Sequence, residues 1–201
     1  LVLEEGITHI GNSAFYCTDF TGSLTIPNSV ITIGNAAFYQ CLGFKGDLTI
    51  PNSVTTIGDY AFSGCFGFNG SLTIGNSVTT IGDSAFELCF GFTESLTIGN
   101  SVTSIGNYAF NGCSGLTNIF FYRDTNPTIG TSAFSYINAN AKVYAPVIWS
   151  SFDNIPEDKL VKMATYVGQQ TTDNGQQSSS TGWVGLADGQ TWPDEDEHVA
   201  I

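Results

Sequence analysis

Basic residues are scarce in this sequence. Five Lys and Arg residues stand against 18 Asp and Glu residues, and the formal net charge is −13 at pH 7. Proteins neutralise the phosphates of a nucleic acid with lysine and arginine, so this balance argues against a nucleic-acid partner. The same charge repels an anionic membrane surface. We therefore expect a partner to be neutral or basic rather than acidic.

Long apolar runs are missing as well. No stretch approaches the roughly 20 apolar residues of a transmembrane helix, so we predict no membrane insertion. The chain opens on the strand-like residues Leu1, Val2 and Leu3, without the basic and apolar segments of a signal peptide. We interpret this start as that of a fragment or a processed form, with a signal peptide and a capping coil expected upstream.

Residues of catalytic and metal chemistry are few. The two histidines, His9 and His198, lie near opposite ends of the chain, and neither has a metal-binding partner at a fixed spacing. The sequence contains no G-x-S-x-G, no H-E-x-x-H and no glycine-rich phosphate loop. We therefore predict that the protein is not an enzyme and that it uses neither a cofactor nor a metal.

What the sequence does contain is a repeat of about 24 residues. Five cysteines mark it at intervals of 24 positions: Cys17, Cys41, Cys65, Cys89 and Cys113. The pattern I-G-x-x-A-F accompanies them and ends at Phe15, Phe38, Phe62, Phe86, Phe110 and Phe134. The first unit is one residue shorter, because Phe15 and Cys17 are closer together than the later pairs. A fixed period of this size predicts a solenoid, in which each coil packs only on its neighbours.

Each coil begins with a strand-like triplet such as Leu48, Thr49 and Ile50. The alternation places leucine and isoleucine on the buried face and threonine on the outer face. We predict an α/β solenoid of the leucine-rich-repeat type, with about seven short parallel strands, one in each coil. The strands are expected to centre on Thr25, Thr49, Thr73 and Thr97.

Two sets of Asn and Asp residues recur at the predicted corners. We expect the first set to bond backbone groups of the next coil: Asn28, Asn52, Asn76 and Asn100. The second set follows each Ile-Gly pair and is typical of helix N-caps: Asn12, Asn35, Asp59, Asp83, Asn107 and Thr131. A short helical or 3₁₀ turn that carries Ala61, Phe62 and Cys65 is predicted to follow, on the side opposite the strands.

The cysteines are interpreted as core residues. One occupies the same predicted core position in every coil, as a small buried hydrophobic side chain would. Side chains on neighbouring coils point in the same direction, which is poor geometry for a disulfide. A straight column of thiols also fails to converge on a metal ion. We predict that all five cysteines are reduced and buried in one column.

The repeat resembles a known family. The run L-T-I-P-N-S-V-T-T-I-G-D-Y-A-F-x-x-C, from Leu48 to Cys65, is similar to the BspA-type leucine-rich repeats of bacterial surface proteins. The resemblance covers residues 1–146, although the unit near Leu116 departs from the usual pattern. It implies a secreted or surface-anchored bacterial protein used in adhesion or host interaction, and it names no ligand.

The sequence predicts three parts. Residues 1–146 form the solenoid, residues 147–166 a C-terminal capping segment, and residues 167–201 a polar, acidic tail. Apolar residues at helical spacing from Glu157 to Tyr166 predict a helix in the cap, with Pro156 in its first turn. In the tail, the apolar residues that could pair with a solenoid edge or a neighbouring molecule are Trp183, Val184, Leu186 and Trp192.

These features predict a non-enzymatic binding or adhesion module, secreted or at the cell surface. It would recognise an extracellular protein or glycan through the outer face of its strands. The candidate ligand-binding residues are Asp47, Thr49, Ser71, Thr73, Ser95, Thr97, Phe120 and Tyr122, with the two aromatic residues as anchors. The alternative is a structural spacer that displays another domain at the surface, which the uniform threonines favour. Exposed solenoid ends are candidate surfaces for self-association.

Overall fold

The computed structural model describes residues 1–146, 148–149, 153–171 and 177–184. In this part of the chain the fold is a parallel β-solenoid of about 6 turns with almost no helix, which confirms the predicted solenoid. The strands within these residues are, in chain order, β1 (His9–Ile10), β2 (Thr32–Ile33), β3 (Leu48–Ile50), β4 (Thr56–Ile57), β5 (Leu72–Ile74), β6 (Thr80–Ile81), β7 (Ser95–Ile98), β8 (Ser104–Ile105), β9 (Asn118–Phe121), β10 (Thr128–Ile129), β11 (Lys142–Pro146), β12 (Leu160–Thr171) and β13 (Gln177–Val184).

The longer strands form one sheet in the order β13-β12-β11-β9-β7-β5-β3. Its strands pair in parallel except at β12 and β13, which form an antiparallel pair. The predicted strand centres Thr49, Thr73 and Thr97 are confirmed, since each lies inside a strand of this sheet. Thr25 differs, because it forms only a single parallel bridge with Val2.

The sequence did not predict the second sheet. Its strands β1, β2, β4, β6, β8 and β10 are two residues long and pair in parallel through a Thr-Ile unit in most coils. In β4, Ile57 is fully buried and Thr56 is exposed. Each complete coil therefore contributes two strands, and the core lies between the two sheets and the turn segment that follows the second one.

The turn segment replaces the predicted helix. Tyr60 has a φ of 56°, a left-handed conformation that a right-handed helix does not contain. Ala61 donates its N–H to the carbonyl of Gly58 at 3.4 Å, but Phe62 donates to the carbonyl of Ala85 in the next coil at 2.7 Å. Successive N–H groups alternate between a partner in the same coil and one in the next. This alternation gives each of these backbone N–H groups a hydrogen-bond partner without a helix.

The predicted N-cap residues instead form a ladder between coils. Asn35 Oδ1 accepts the N–H of Asp59 at 3.0 Å, and Asp59 Oδ1 accepts the N–H of Asp83 at 2.8 Å. The prediction of helix capping is therefore wrong, because these oxygens bond the next coil rather than their own turn. At the other corner the predicted bonds to the next coil are confirmed for two of the four asparagines. Asn52 Oδ1 accepts the N–H of Asn76 at 2.7 Å, and Asn76 Oδ1 accepts that of Asn100 at 3.3 Å, but Asn28 and Asn100 make no such side-chain bond within the described residues.

Stacked phenylalanine rings fill the core. The column Phe15, Phe38, Phe62, Phe86, Phe110 and Phe134 has neighbouring ring centroids 5.0 to 5.3 Å apart. A second column contains Phe44, Phe68 and Phe92. All of these rings except Phe15 are buried, so they supply much of the apolar surface that coil stacking removes from water.

Four cysteines lie in the predicted column, and all five are free thiols. Cys41, Cys65, Cys89 and Cys113 are buried, whereas Cys17 is exposed. The prediction for Cys17 is wrong because the first unit is one residue short: Thr18, not Cys17, lies beside Cys41, with Oγ1 and Sγ 3.3 Å apart. The short spacing moves Cys17 to the surface, where it faces Gln40.

The predicted cap helix is also wrong. A 3₁₀ helix, Glu157–Lys159, follows Pro156, and β12 then pairs in parallel with β11. The edge of β11 offers backbone partners that a helix could not use, and Val161 is β-branched and favours a strand. The boundary that we placed after residue 166 falls inside β12. Trp183 and Val184 lie in β13, whereas Leu186 and Trp192 lie outside the described residues.

Candidate binding surface

The predicted ligand-binding residues share one side of the longer sheet, which we call the strand face. Thr49, Thr73, Thr97 and Phe120 are in register on neighbouring strands. Tyr144 continues this row on β11, opposite Phe120. The inward leucines and isoleucines between them are buried, so the alternation of each strand fixes which side chains face out.

Hydroxyl groups make up the middle of the strand face. Within the described residues, the hydroxyls of Thr49, Thr73 and Thr97 make no hydrogen bond to the protein. Thr49 is exposed and the other two are half-buried. The row therefore presents hydrogen-bonding groups, spaced by the sheet, that a partner can use without breaking an internal bond.

A second row, on the N-terminal side of the threonines, is internally bonded. Asp47 Oδ1 accepts the backbone N–H of Ser71 at 2.8 Å. The hydroxyl of Ser71 donates to Glu94 Oε2 at 2.9 Å and lies 3.3 Å from Ser95 Oγ. A Cβ at Gly70 would lie 2.1 Å from Asp47 Oδ1, so a larger residue there would displace this carboxylate. These bonds fix the carboxylates of Asp47 and Glu94 at the edge of the strand face.

One end of the strand face contains a concavity of about 630 Å³. Three predicted residues line it: Asp47, Thr49 and Thr73. Lys45 and Asn28 also line it, so the concavity combines an ammonium, a carboxylate, an amide and hydroxyls. Lys45 and Asn28 were not among the predicted binding residues, because nothing in a linear pattern shows that a corner residue and a strand residue of different coils face one space.

The other end of the strand face is aromatic. Phe120 stacks on Tyr144 with ring centroids 4.7 Å apart and planes at 14°. Tyr122 lies 6.2 Å from Phe120, and its side chain is 39% exposed. Tyr144 was not among the predicted binding residues, although it occupies the same place in the degenerate triplet Val143-Tyr144-Ala145 as threonine does in the regular coils.

Stacking limits what the aromatic end can contact. Phe120 and Tyr144 cover each other's facing ring surfaces, and Thr97 lies on the strand next to Phe120. A sugar ring or a cation prefers the open face of an aromatic ring, whereas the rims of stacked rings favour edge contacts with apolar groups. The arrangement therefore suits apolar side chains of a protein better than a stacked sugar.

Three of the four buried thiols, Cys65, Cys89 and Cys113, are unreactive, whereas hydrogen bonding to Cys65 and Thr18 lowers the pKa of Cys41 to about 6. Burial raises the pKa of Cys65 and Cys113 well above its ordinary value, and it raises the pKa of Cys89 to about 12. Each of these thiols donates to a backbone carbonyl of the preceding coil. They are protonated at neutral pH and unsuited to nucleophilic chemistry.

Two features are absent from the described residues. No group of three or more His, Cys, Asp or Glu side chains in that part of the chain is placed to hold a metal ion. No helix among the same residues has the length and apolar character needed to cross a bilayer.

Comparisons with known proteins identify the repeat. The model of the BspA type leucine rich repeat region matches residues 44–159 in 6 copies. A leucine-rich repeat protein from Bacteroides ovatus has a crystal structure similar to this chain, with 25% sequence identity and a TM-score of 0.44. The match covers 79% of this chain and 49% of that one, so the chain spans about half of that protein's length. No curated protein matches the chain.

Proposed function

The chain belongs to the BspA-type leucine-rich repeat family, whose model matches more than half of it, and on this premise we propose that it is a non-enzymatic binding module. Proteins of this family are often surface proteins. The module acts outside the cell or on its surface, in adhesion, and its strand face contacts an extracellular protein. The concavity that Asp47, Thr49 and Thr73 line is the observation that carries this proposal.

Three properties of the strand face support a protein partner over a glycan. The hydroxyl row offers unused donors and acceptors, as at Thr49. The aromatic end presents ring edges rather than open ring faces, because Phe120 and Tyr144 stack on each other. Asp47 and Glu94 add negative charge at the edge of the strand face, which favours a neutral or basic partner.

The alternative function is that of a structural spacer. A spacer needs only a stable rod, and the repeated bonds between coils, such as the one from Asp83 N–H to Asp59 Oδ1, supply this without any ligand. The threonine row is also uniform over three coils, as in a generic scaffold. The concavity favours binding, because a spacer has no need of a recess lined by both Lys45 and Asp47.

An array of extracellular-matrix proteins and glycans, probed with the whole chain, separates these functions. We expect binding to at least one protein, and loss of it when Thr49→Arg fills the concavity. Phe120→Ala combined with Tyr122→Ala is expected to weaken the same binding by at least about 1 kcal/mol if these residues are anchors. Thr56→Ala, on the second sheet, is the matched control because Thr56 is equally a surface threonine.

The outcomes are distinct. Binding that survives Thr49→Arg contradicts the concavity as the contact site. Binding to glycans alone contradicts the proposed partner class. A chain that binds nothing on the array, while its circular dichroism shows a folded solenoid, supports the spacer.

A further inference from the structure

A column of exposed apolar side chains lies outside the strand face. Leu42, Phe66 and Phe90 each follow the cysteine of their coil, and their side chains are 47%, 40% and 48% exposed. The rings of Phe66 and Phe90 stack with centroids 5.0 Å apart and planes at 7°. Leu88 is 52% exposed and lies two residues before Phe90. We call these four residues the apolar column.

The backbone under the apolar column is tightly packed. A Cβ at Gly67 would lie 2.2 Å from the carbonyl oxygen of Leu42, and one at Gly91 would lie 2.2 Å from that of Phe66. Only glycine fits between the coils at these positions, so the close backbone contact fixes the spacing of the exposed side chains. The column is therefore preorganised, and a partner that docks there has little ordering cost.

The charges of these coils select the partner. No Lys, Arg or His occurs between Lys45 and Arg123, and this stretch contains five carboxylates, Asp47, Asp59, Asp83, Glu87 and Glu94. A second copy of the chain would bring another formal charge of −13 and be repelled. A basic partner would be attracted to the same surface.

We propose that the apolar column is a docking surface for a basic polypeptide segment that carries apolar side chains. Its apolar side chains cover Leu42, Phe66, Leu88 and Phe90, and its lysines and arginines are attracted by the carboxylates that the same coils carry in the absence of Lys and Arg. The facing surfaces of Phe66 and Phe90 are covered by their stacking, so the cations act through the carboxylates rather than over these rings. This surface is separate from the strand face and does not depend on the function proposed for it.

A short synthetic peptide of alternating lysine and leucine, labelled with a fluorophore, is the probe. Its anisotropy is measured against the whole protein at low salt, where attraction between charges is strongest. Two control peptides replace every leucine by serine or every lysine by glutamate. We expect the lysine–leucine peptide to bind at least about tenfold more tightly than either control.

Variants distinguish the contribution of the apolar column to peptide binding from that of the net charge. Phe66→Ser with Phe90→Ser leaves the charge unchanged and is expected to weaken binding at least about tenfold. Phe66→Leu with Phe90→Leu keeps the surface apolar and should retain most of the affinity. The circular dichroism of the serine variant should match that of the unaltered protein, which excludes unfolding as the cause of its weaker binding. Thr73→Ala with Thr97→Ala, on the strand face, should leave peptide binding unchanged.

Several results would overturn the proposal. They are no binding by the unaltered protein, equal binding of the lysine–serine peptide, and unchanged affinity of the serine variant. Sedimentation that shows a dimer lost in the serine variant would assign the apolar column to a second copy of the chain instead. Failure here leaves the strand-face function standing, because the array variants of Thr49 and Phe120 do not alter the column.

Discussion

The thiol of Cys65 donates a hydrogen bond of 2.8 Å to the backbone carbonyl of Phe38 in the preceding coil. The same carbonyl accepts the N–H of Cys41 at 3.2 Å, so it is bonded within its coil and to the next one. The cysteine is therefore more than a small apolar side chain, because it connects two coils at a place where no water can reach.

This bond predicts a ranking of substitutions. Cys65→Ser keeps a donor for the Phe38 carbonyl and should lower the unfolding free energy by about 1 kcal/mol. Cys65→Ala loses the bond and leaves a small cavity, so it should lower the unfolding free energy by about 2 kcal/mol. Urea denaturation of both variants measures the difference. A serine variant less stable than the alanine variant would show that the bond contributes nothing.

Thiol labelling of the native protein tests the position of Cys17. We expect one cysteine to react with an aromatic disulfide reagent at pH 8 and five after denaturation, since Cys17 is exposed and the other four are buried. Burial also raises the pKa of Cys65, Cys89 and Cys113, which suppresses their thiolates. Cys17→Ser should abolish the native signal. Rapid labelling that persists in this variant would contradict the buried column.

Stability should fall at alkaline pH. An unfolded thiol has a pKa of about 8.5, whereas burial raises the pKa of Cys65, Cys89 and Cys113 in the folded protein, that of Cys89 to about 12. Below pH 8.5 both states hold the proton, and the contribution to stability is complete. Above pH 8.5 the unfolded state loses protons that the folded state keeps. Each thiol therefore lowers the unfolding free energy by up to about 1.4 kcal/mol per pH unit.

Urea denaturation from neutral pH to about pH 10.5 measures this slope. Cys89→Ala removes one of the three thiols and should reduce the slope by about a third, because the contributions of all other groups are common to both proteins. An unchanged slope in the variant would assign the alkaline loss to other groups.

The ladder of corner side chains predicts opposite effects at one position. Asp59→Asn keeps an oxygen for the N–H of Asp83 and removes the repulsion between two neighbouring carboxylates, so it should stabilise the fold by about 0.5 kcal/mol. Asp59→Ala loses the acceptor and should cost about 1 kcal/mol. Thermal denaturation at low salt measures both. In an Asp83→Asn background the gain from Asp59→Asn should vanish.

The sequence predicted the strands that carry a visible alternation. Leu48, Thr49 and Ile50 show one full period of a half-buried strand, and the structure places a strand there. Thr56 and Ile57 form too short a segment to show a periodicity. The second sheet forms because these residues pair with neighbouring coils, so the sequence of a single coil does not predict it. The same limit applies to Lys45, whose place in the concavity depends on how coils stack.

Two other predictions failed because local signals were ambiguous. Asn35 has the chemistry of a helix N-cap, but its oxygen is equally suited to an N–H of the next coil, and stacking decides between them. Leu160 and Met163 have a spacing that fits a helix face, yet the open edge of β11 recruits this segment as a strand. In both cases a contact with a distant part of the chain overrides the nearby pattern.

The bonds of the corner ladders also bear on how quickly the chain folds. Asn35 and Asn12, or Asp83 and Asp59, are 23 and 24 residues apart, and none of these bonds joins distant ends of the solenoid. Closing such a loop has nearly the same entropic cost anywhere along the chain. Folding can therefore begin at any pair of adjacent coils and spread outward, so the rate should depend on the best local pair rather than on the number of repeats.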